Sequence, residues 1–171
     1  MINFNYALTR FASSAETIAA LARSASEEQA RWKPVPDEWS ILEVLCHLYD
    51  EEREDFRTRV RLTLENPEAD WPPINPRGWV TERGYNQREW PAALEAWAQE
   101  RRASLQWLRE LQNPNWDSTH THPQFGSATA GEMLAAWVAH DHLHIRQLNQ
   151  LHWQWLALSA PTASLEYAGG W

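Results

Sequence analysis

The sequence predicts an all-α protein, a four-helix bundle, on the basis of three observations. Apolar residues recur at steps of three and four in four separate segments, which is the spacing of one helix face. Two of these segments begin with Ser-x-x-Glu or Thr-x-x-Glu, the pattern of a capping box. No segment alternates apolar and polar residues as a confident strand would. We therefore expect helices packed on helices and no sheet core.

The first two predicted helices lie in the N-terminal part of the chain. Apolar residues from Phe4 to Ala22 form the stripe of the first helix, which we expect to end near Ser24. Ser40 and Glu43 form the first capping box. The second helix is therefore predicted to run from Ser40 to the low 60s.

A long proline-rich connection separates the second helix from the third. The segment NPEADWPPINPRGW contains four prolines, and each lacks a backbone donor and restricts the residue before it. We expect no regular helix to pass through this segment. Pro91 suits the first turn of the third helix, whose apolar stripe reaches Leu111, just before the segment NPNWD.

The fourth helix follows a second capping box, formed by Thr129 and Glu132. The segment THTHPQFG before it contains Pro123 and Gly126, so we expect a loop there. The helix itself presents one inward row: Met133, Trp137, His140, His144, Leu148 and Leu151.

Length, charge and composition limit the classes of function. The 171 residues fit one domain, spanning 1–171. A formal net charge of -8 would repel phosphate backbones and anionic membranes, so we expect no nucleic-acid and no membrane partner. A single cysteine, Cys46, and an N-terminus without a basic and apolar leader predict a cytoplasmic protein.

Three histidines lie within one short stretch of the fourth helix. His140 and His144 are one turn apart and face the bundle interior, whereas His142 is rotated by about 200° from His140 and faces the other way. A histidine pair of this spacing can bind one metal ion through both rings. Taken alone, the pair fits two hydrogen-bonded core histidines equally well.

His47 is the candidate third ligand, because it also faces inward from the second helix. If the second and fourth helices are neighbours, three neutral imidazoles converge. Such a set leaves a divalent ion its full charge and an open position for water. A structural zinc site would need a fourth protein ligand, and one cysteine excludes a closed thiolate site. The set therefore favours an open site of the catalytic type.

The residues of this set also carry a resemblance to a known family. The segments EWSILEVLCHLYDEE and HDHLHIRQL look like those of the DinB-like superfamily of metal-binding four-helix bundles, over roughly Phe4 to Trp153. The shared marks are a Trp-Ser helix start, His-Leu in the second helix, and His-x-x-x-His followed by Gln in the fourth. The family's metal ligands map onto His47, His140 and His144.

The resemblance implies an up-down-down-up bundle, a divalent ion such as zinc or nickel, and a homodimer. Defined members of that family include thiol-dependent transferases and isomerases that use bacillithiol or mycothiol. For this chain it implies a metal-dependent hydrolase or a thiol-dependent S-transferase acting on a small molecule, with a low-molecular-weight thiol as a candidate partner. The 12 tryptophans exceed what one small core hides, which agrees with a homodimer.

Glu51 is the candidate catalytic residue. One turn from His47, it can orient that imidazole, act as a general base on metal-bound water, or become a fourth ligand. It can equally be a solvated carboxylate. Gln147, three residues after His144, is a candidate for orienting that ring.

Three further residues receive non-catalytic interpretations. Cys46 lies about 100° around the helix from His47, so we expect a small buried group rather than a ligand. His120 and His122 can overhang the site, but histidines in a polar loop are usually solvated.

Two functional classes remain open at this stage. In the first, the ion lowers the pKa of a bound water or of a substrate thiol, and the protein catalyses hydrolysis or thiol transfer. In the second, the ion braces two helices, and the protein is a non-catalytic, metal-stabilised binding or stress-response module.

Overall fold

The computed structural model, which describes residues 3–124, 126–162 and 164–169, confirms the all-α fold. Helix α1 spans Phe4–Arg23 and ends at Ser24, as its apolar stripe predicted. A short helix α2, Glu27–Arg31, follows. Helix α2 was not predicted, because its five residues are too few to show a periodic face.

The second long helix is continuous but not uniform. It consists of α3, Ile41–Asp50, a π-helical segment, Glu51–Phe56, and α4, Arg57–Glu65. Both capping atoms of the predicted box are engaged at its start, since the Ser40 hydroxyl accepts from Glu43 N and the Glu43 carboxylate accepts from Ser40 N. The predicted span is confirmed, whereas the π-helical segment was not foreseen.

The second half of the chain supplies the other two long helices. Helix α5 spans Pro76–Glu82, a 3-10 turn spans Tyr85–Gln87, and α6 spans Trp90–Glu110. Helix α7, Ala130–Ser159, starts at the predicted Thr129 capping box. None of the helices among the described residues is long and apolar enough to span a membrane.

The predicted loop before α7 is a β-hairpin, so that expectation was wrong. Strand β1, Thr119–His122, pairs antiparallel with β2, Gly126–Thr129. Pro123 falls in the turn between the strands and removes no ladder bond, and Gly126, with φ of 78°, starts the second strand. Phe125, also in this segment, lies outside the described residues.

Helices α1 and α7 run in the same direction. The ring of Phe11 packs on Trp137 at 4.6 Å, and His152, further along α7, bonds to the carbonyl of Leu21, further along α1. The second long helix runs against α7, because Phe56 packs on Trp137 while His47 lies beside the later His144.

Helix α6 runs parallel to the second long helix, which completes the up-down-down-up order. Glu52 pairs with Arg101, and Arg57 bonds to the later Ser104. Two parallel helices need a connection that returns along the bundle, and the proline-rich segment is that connection. It does admit a helix at its end, contrary to expectation. Pro76 is tolerated at the start of α5 because no intrahelical donor is needed there.

A buried charge network joins all four long helices. The Arg101 guanidinium of α6 bonds Glu52 at 2.9 Å and Asp141 of α7 at 2.6 and 2.8 Å. The guanidinium carbon lies 3.8 Å from the ring centroid of Phe11 in α1. All three charged side chains are at most 2% exposed, so solvent does not screen the network.

We expect Arg101→Leu to destabilise the protein by about 3–5 kcal/mol, because it leaves two buried carboxylates without their partner. Urea unfolding measures the change. Arg102→Leu is the matched control, since Arg102 is exposed and its pair with Glu95 is screened by solvent. Equal effects of the two substitutions would contradict a structural role for the network.

Candidate metal centre

The structure brings three imidazoles together between α3 and α7. The Nε2 atom of His140 lies 3.3 Å from Nε2 of His47 and 3.1 Å from Nε2 of His144. All three ligand atoms lie within 4.8 Å of one another. Two nitrogens bound to one tetrahedral zinc at ~2.0–2.1 Å are themselves about 3.3 Å apart. The donor set therefore fits a divalent ion, and each ring is placed by a rigid helix.

The protons in this cluster cannot satisfy all three nitrogens. Nδ1 of His144 donates to Oε1 of Gln147 at 2.8 Å, so a neutral His144 presents a bare lone pair at Nε2. A neutral His140 has at most one proton on Nε2 and can donate it to only one neighbour. At most one of the two short contacts made by Nε2 of His140 is therefore a hydrogen bond, and a cation bound by the three lone pairs would remove this conflict.

Burial keeps the three rings neutral. Together with smaller effects of neighbouring imidazoles, and of Arg101 on His140, burial lowers the pKa of His47 to about 2 and that of His140 to about 3. Burial also lowers the pKa of His144, although the Gln147 bond opposes this. Neutral imidazole is the form that binds metal, so the cluster is in its ligating form at neutral pH.

Aromatic side chains enclose the cluster. The ring of Trp39 lies 4.8 Å from His47 and is parallel to His144 at 6.4 Å, and Phe56 lies 5.0 Å from His140. Neither contact with the histidines was predicted from the sequence. The position of Trp39 directly before the capping Ser40 was the available signal for one of them.

Glu51 is buried, so its interpretation as a solvated carboxylate is wrong. It is 4% exposed, and its Oε1 has no hydrogen-bond partner among the described residues. Burial, with a smaller effect of Asp55, raises the pKa of Glu51 to about 8. It does not belong to the three-histidine group, and the charges that act on it are those of Asp55, Arg59 and Asp50.

The remaining candidates lie outside the cluster. His142 is exposed, as its angle on the helix predicted. Cys46 is buried, and burial raises the pKa of its thiol to about 12, which agrees with an inert apolar role. His120 is not solvated, contrary to expectation, because it stacks on Trp71 at 4.3 Å and its Nδ1 donates to Pro67 O. His122 lies 5.9 Å from the Trp71 ring.

A groove of about 640 Å³ adjoins the cluster. Two of its lining residues, Trp39 and Gln147, also contact the clustered histidines, and its other walls are mostly polar. A smaller cavity of about 200 Å³ is lined by Cys46 and Tyr85 and by none of the three histidines. None of the three histidines lines the larger groove either, but two residues in contact with them do, so this groove lies beside the cluster and has room for a small molecule.

Comparisons with known proteins support the fold. The sequence model of the DinB superfamily matches residues 10–148. Among solved structures, YfiT from Bacillus subtilis is described as a probable metal-dependent hydrolase with an unusual four-helix bundle topology. It matches with a TM-score of 0.77 and 16% identity, over 88% of this chain and 87% of its own. No curated protein gives a significant match.

We expect the buried imidazoles to make the metal-free protein less stable as pH falls below about 6.5. The unfolded chain takes up protons near that pH, whereas folded His47 and His140 do so only near 2 and 3. Each imidazole therefore lowers the free energy of unfolding by about 1.4 kcal/mol per pH unit in this window.

Glu51 has the opposite effect on the pH dependence of stability, because its raised pKa makes the folded protein more stable as the pH falls. The measurement is therefore the slope of the free energy of unfolding against pH, obtained from urea unfolding at pH 5 to 7. This slope is compared between wild type and His47→Ala. The wild-type slope should be the steeper, and His142→Ala should match wild type. Identical slopes for all three proteins would show that His47 is not held neutral by burial.

Proposed function

The chain belongs to the DinB superfamily, and on that basis we propose that it is an enzyme dependent on a divalent metal ion bound by His47, His140 and His144. The convergence of three Nε2 atoms, whose two short contacts cannot both be hydrogen bonds, carries this proposal. Zinc and nickel are the proposed ions, since imidazole suits both. A bound ion would supply a Lewis acid that lowers the pKa of a water or a thiol.

The proposed reaction is hydrolysis or thiol-dependent S-transfer on a small molecule. The family and the description of YfiT support a hydrolase. The site itself offers no protein nucleophile, because the thiol of Cys46 is buried and protonated at neutral pH. The attacking group must therefore be a water or a substrate thiol. The adjoining groove has room for a small substrate.

The chain's own residues hold the site. Gln147 accepts from Nδ1 of His144 and thereby keeps the lone pair of Nε2 directed at the cluster. Glu51, the candidate catalytic residue, is 4% exposed and does not line the groove. Of its candidate roles we therefore propose the orientation of the His47 imidazole rather than proton transfer to the substrate.

The non-catalytic alternative, a metal-stabilised binding or stress-response module, would use the same three ligands without turnover. The single domain over 1–171, the homodimer, the thiol partner and the cytoplasmic location remain predictions.

We expect His47→Ala, His140→Ala and His144→Ala each to weaken binding of zinc by tenfold or more, since each removes a ligand. Titration against a chelating indicator measures the affinity. His142→Ala is the matched control, because it removes an exposed imidazole from the same helix. Loss of binding in the control, with normal binding in His140→Ala, would contradict the ligand set.

Turnover distinguishes the enzyme from the binding module. Protein purified without an affinity tag is analysed for metal and then assayed with ester, amide and epoxide substrates, with and without a low-molecular-weight thiol. We expect activity that a chelator removes and that zinc or nickel restores, since the ion carries the chemistry. If the metal raises the melting temperature of the protein but no substrate is converted, the result would favour the non-catalytic module.

A further inference from the structure

His47, Glu51, Asp55 and Arg59 form a polar row along the second long helix, four residues apart. Their exposed fractions lie between 4% and 8%, so all four are buried. In a regular α-helix each step of four overshoots a turn by about 40°, which would rotate Arg59 about 120° from His47. The π-helical segment takes more residues per turn and offsets this drift. The row therefore stays on one face.

Two polar atoms without partners stand at the start of this row. Nδ1 of His47 and Oε1 of Glu51 are shielded from solvent and make no hydrogen bond to any described residue. They are complementary, because Nδ1 carries the proton when Nε2 acts as a ligand, and a carboxyl oxygen accepts. A helical side chain leans toward the preceding turn, so Glu51 leans toward His47.

The far end of the row is fixed by a charge and a ring. Glu51 shares a hydrogen bond with Asp55. The Asp55 carboxylate lies 2.6 Å from Nε of Arg59. The Arg59 guanidinium in turn lies 4.9 Å from the ring centroid of Trp71, in the proline-rich connection. A bond from His47 to Glu51 would therefore link the imidazole to an anchored ion pair.

One histidine of the cluster already has a hydrogen-bond acceptor for its second ring nitrogen. His144 donates from Nδ1 to Gln147, which follows it by one turn on the same helix. Metal-ligating histidines almost always donate their second N–H to a carboxylate, a carbonyl or a water. His47 has no such acceptor among the described residues, and Glu51 follows it by one turn.

We propose that Glu51, Asp55 and Arg59 are positioning residues, a chain of hydrogen bonds and charge that accepts the Nδ1 proton of His47 and holds this ring toward the metal. The proposal rests on the proposed function, since it assumes that an ion binds the three histidines. It adds a role for Asp55 of the π-helical segment and Arg59 of α4, neither of which is a proposed ligand.

The test is the affinity for zinc, and the Co²⁺ absorption spectrum, of the folded protein and its variants. Glu51→Leu and Arg59→Gln should weaken zinc binding about tenfold, the usual effect of losing such a support. Glu51→Gln keeps an acceptor oxygen and should retain near wild-type affinity. The matched controls are Arg57→Gln and Glu54→Gln, which remove charges from other faces of the same helix and should bind as wild type.

A double-mutant cycle separates positioning from a general loss of structure. Glu51→Leu should have no further effect on affinity in a His47→Ala background, because the chain acts only through that ring. An equal effect in both backgrounds, or wild-type affinity in Glu51→Leu, would overturn the chain while leaving the metal enzyme intact. A wild-type protein that binds no ion would refute the proposed function and the chain together.

Discussion

The buried contact of Arg101 with Glu52 and Asp141 is the constraint on which the rest of the structure depends. Removing such charges from water costs several kcal/mol for each ion, and apolar side chains of similar volume would fill the space more favourably. The network is therefore better explained by geometry than by stability. It fixes the rotation of three helices about their axes, because a guanidinium donates bidentate hydrogen bonds to carboxylates only in its own plane.

This rotation sets the position of the imidazole cluster. Asp141 precedes the exposed His142 and directly follows His140, so anchoring Asp141 inward determines which histidines of α7 can face α3. Glu52 follows Glu51 within the π-helical segment, and its bond to Arg101 ties that segment to α6. The charge network and the cluster of imidazoles are thus two results of one packing arrangement.

The cluster of imidazoles itself opposes folding. Nε2 of neutral His140 lies 3.3 Å from Nε2 of His47 and 3.1 Å from Nε2 of His144, and Nδ1 of His47 and Oε1 of Glu51 have no partner among the described residues. Buried polar atoms of this kind each cost about 1–3 kcal/mol. Such local conflicts are expected at functional sites, where an ion or substrate supplies the missing interactions. The surrounding apolar clusters compensate for the conflict through burial.

Local spacing determined the four long helices, both capping boxes and the inward direction of His140 and His144, because periodicity and caps are properties of neighbouring residues. Arg101 lies four residues after Trp97 and four before Leu105, so the same spacing puts it on the apolar face of α6, but no local pattern identifies its partners. Only the tertiary structure decided that His47 meets residues of α7, that Glu51 is buried and that His120 packs on Trp71. These contacts join residues far apart in the chain, so they depend on how the helices rotate and pack. The π-helical segment and the β-hairpin depend on the same packing, since neither has a strong local pattern.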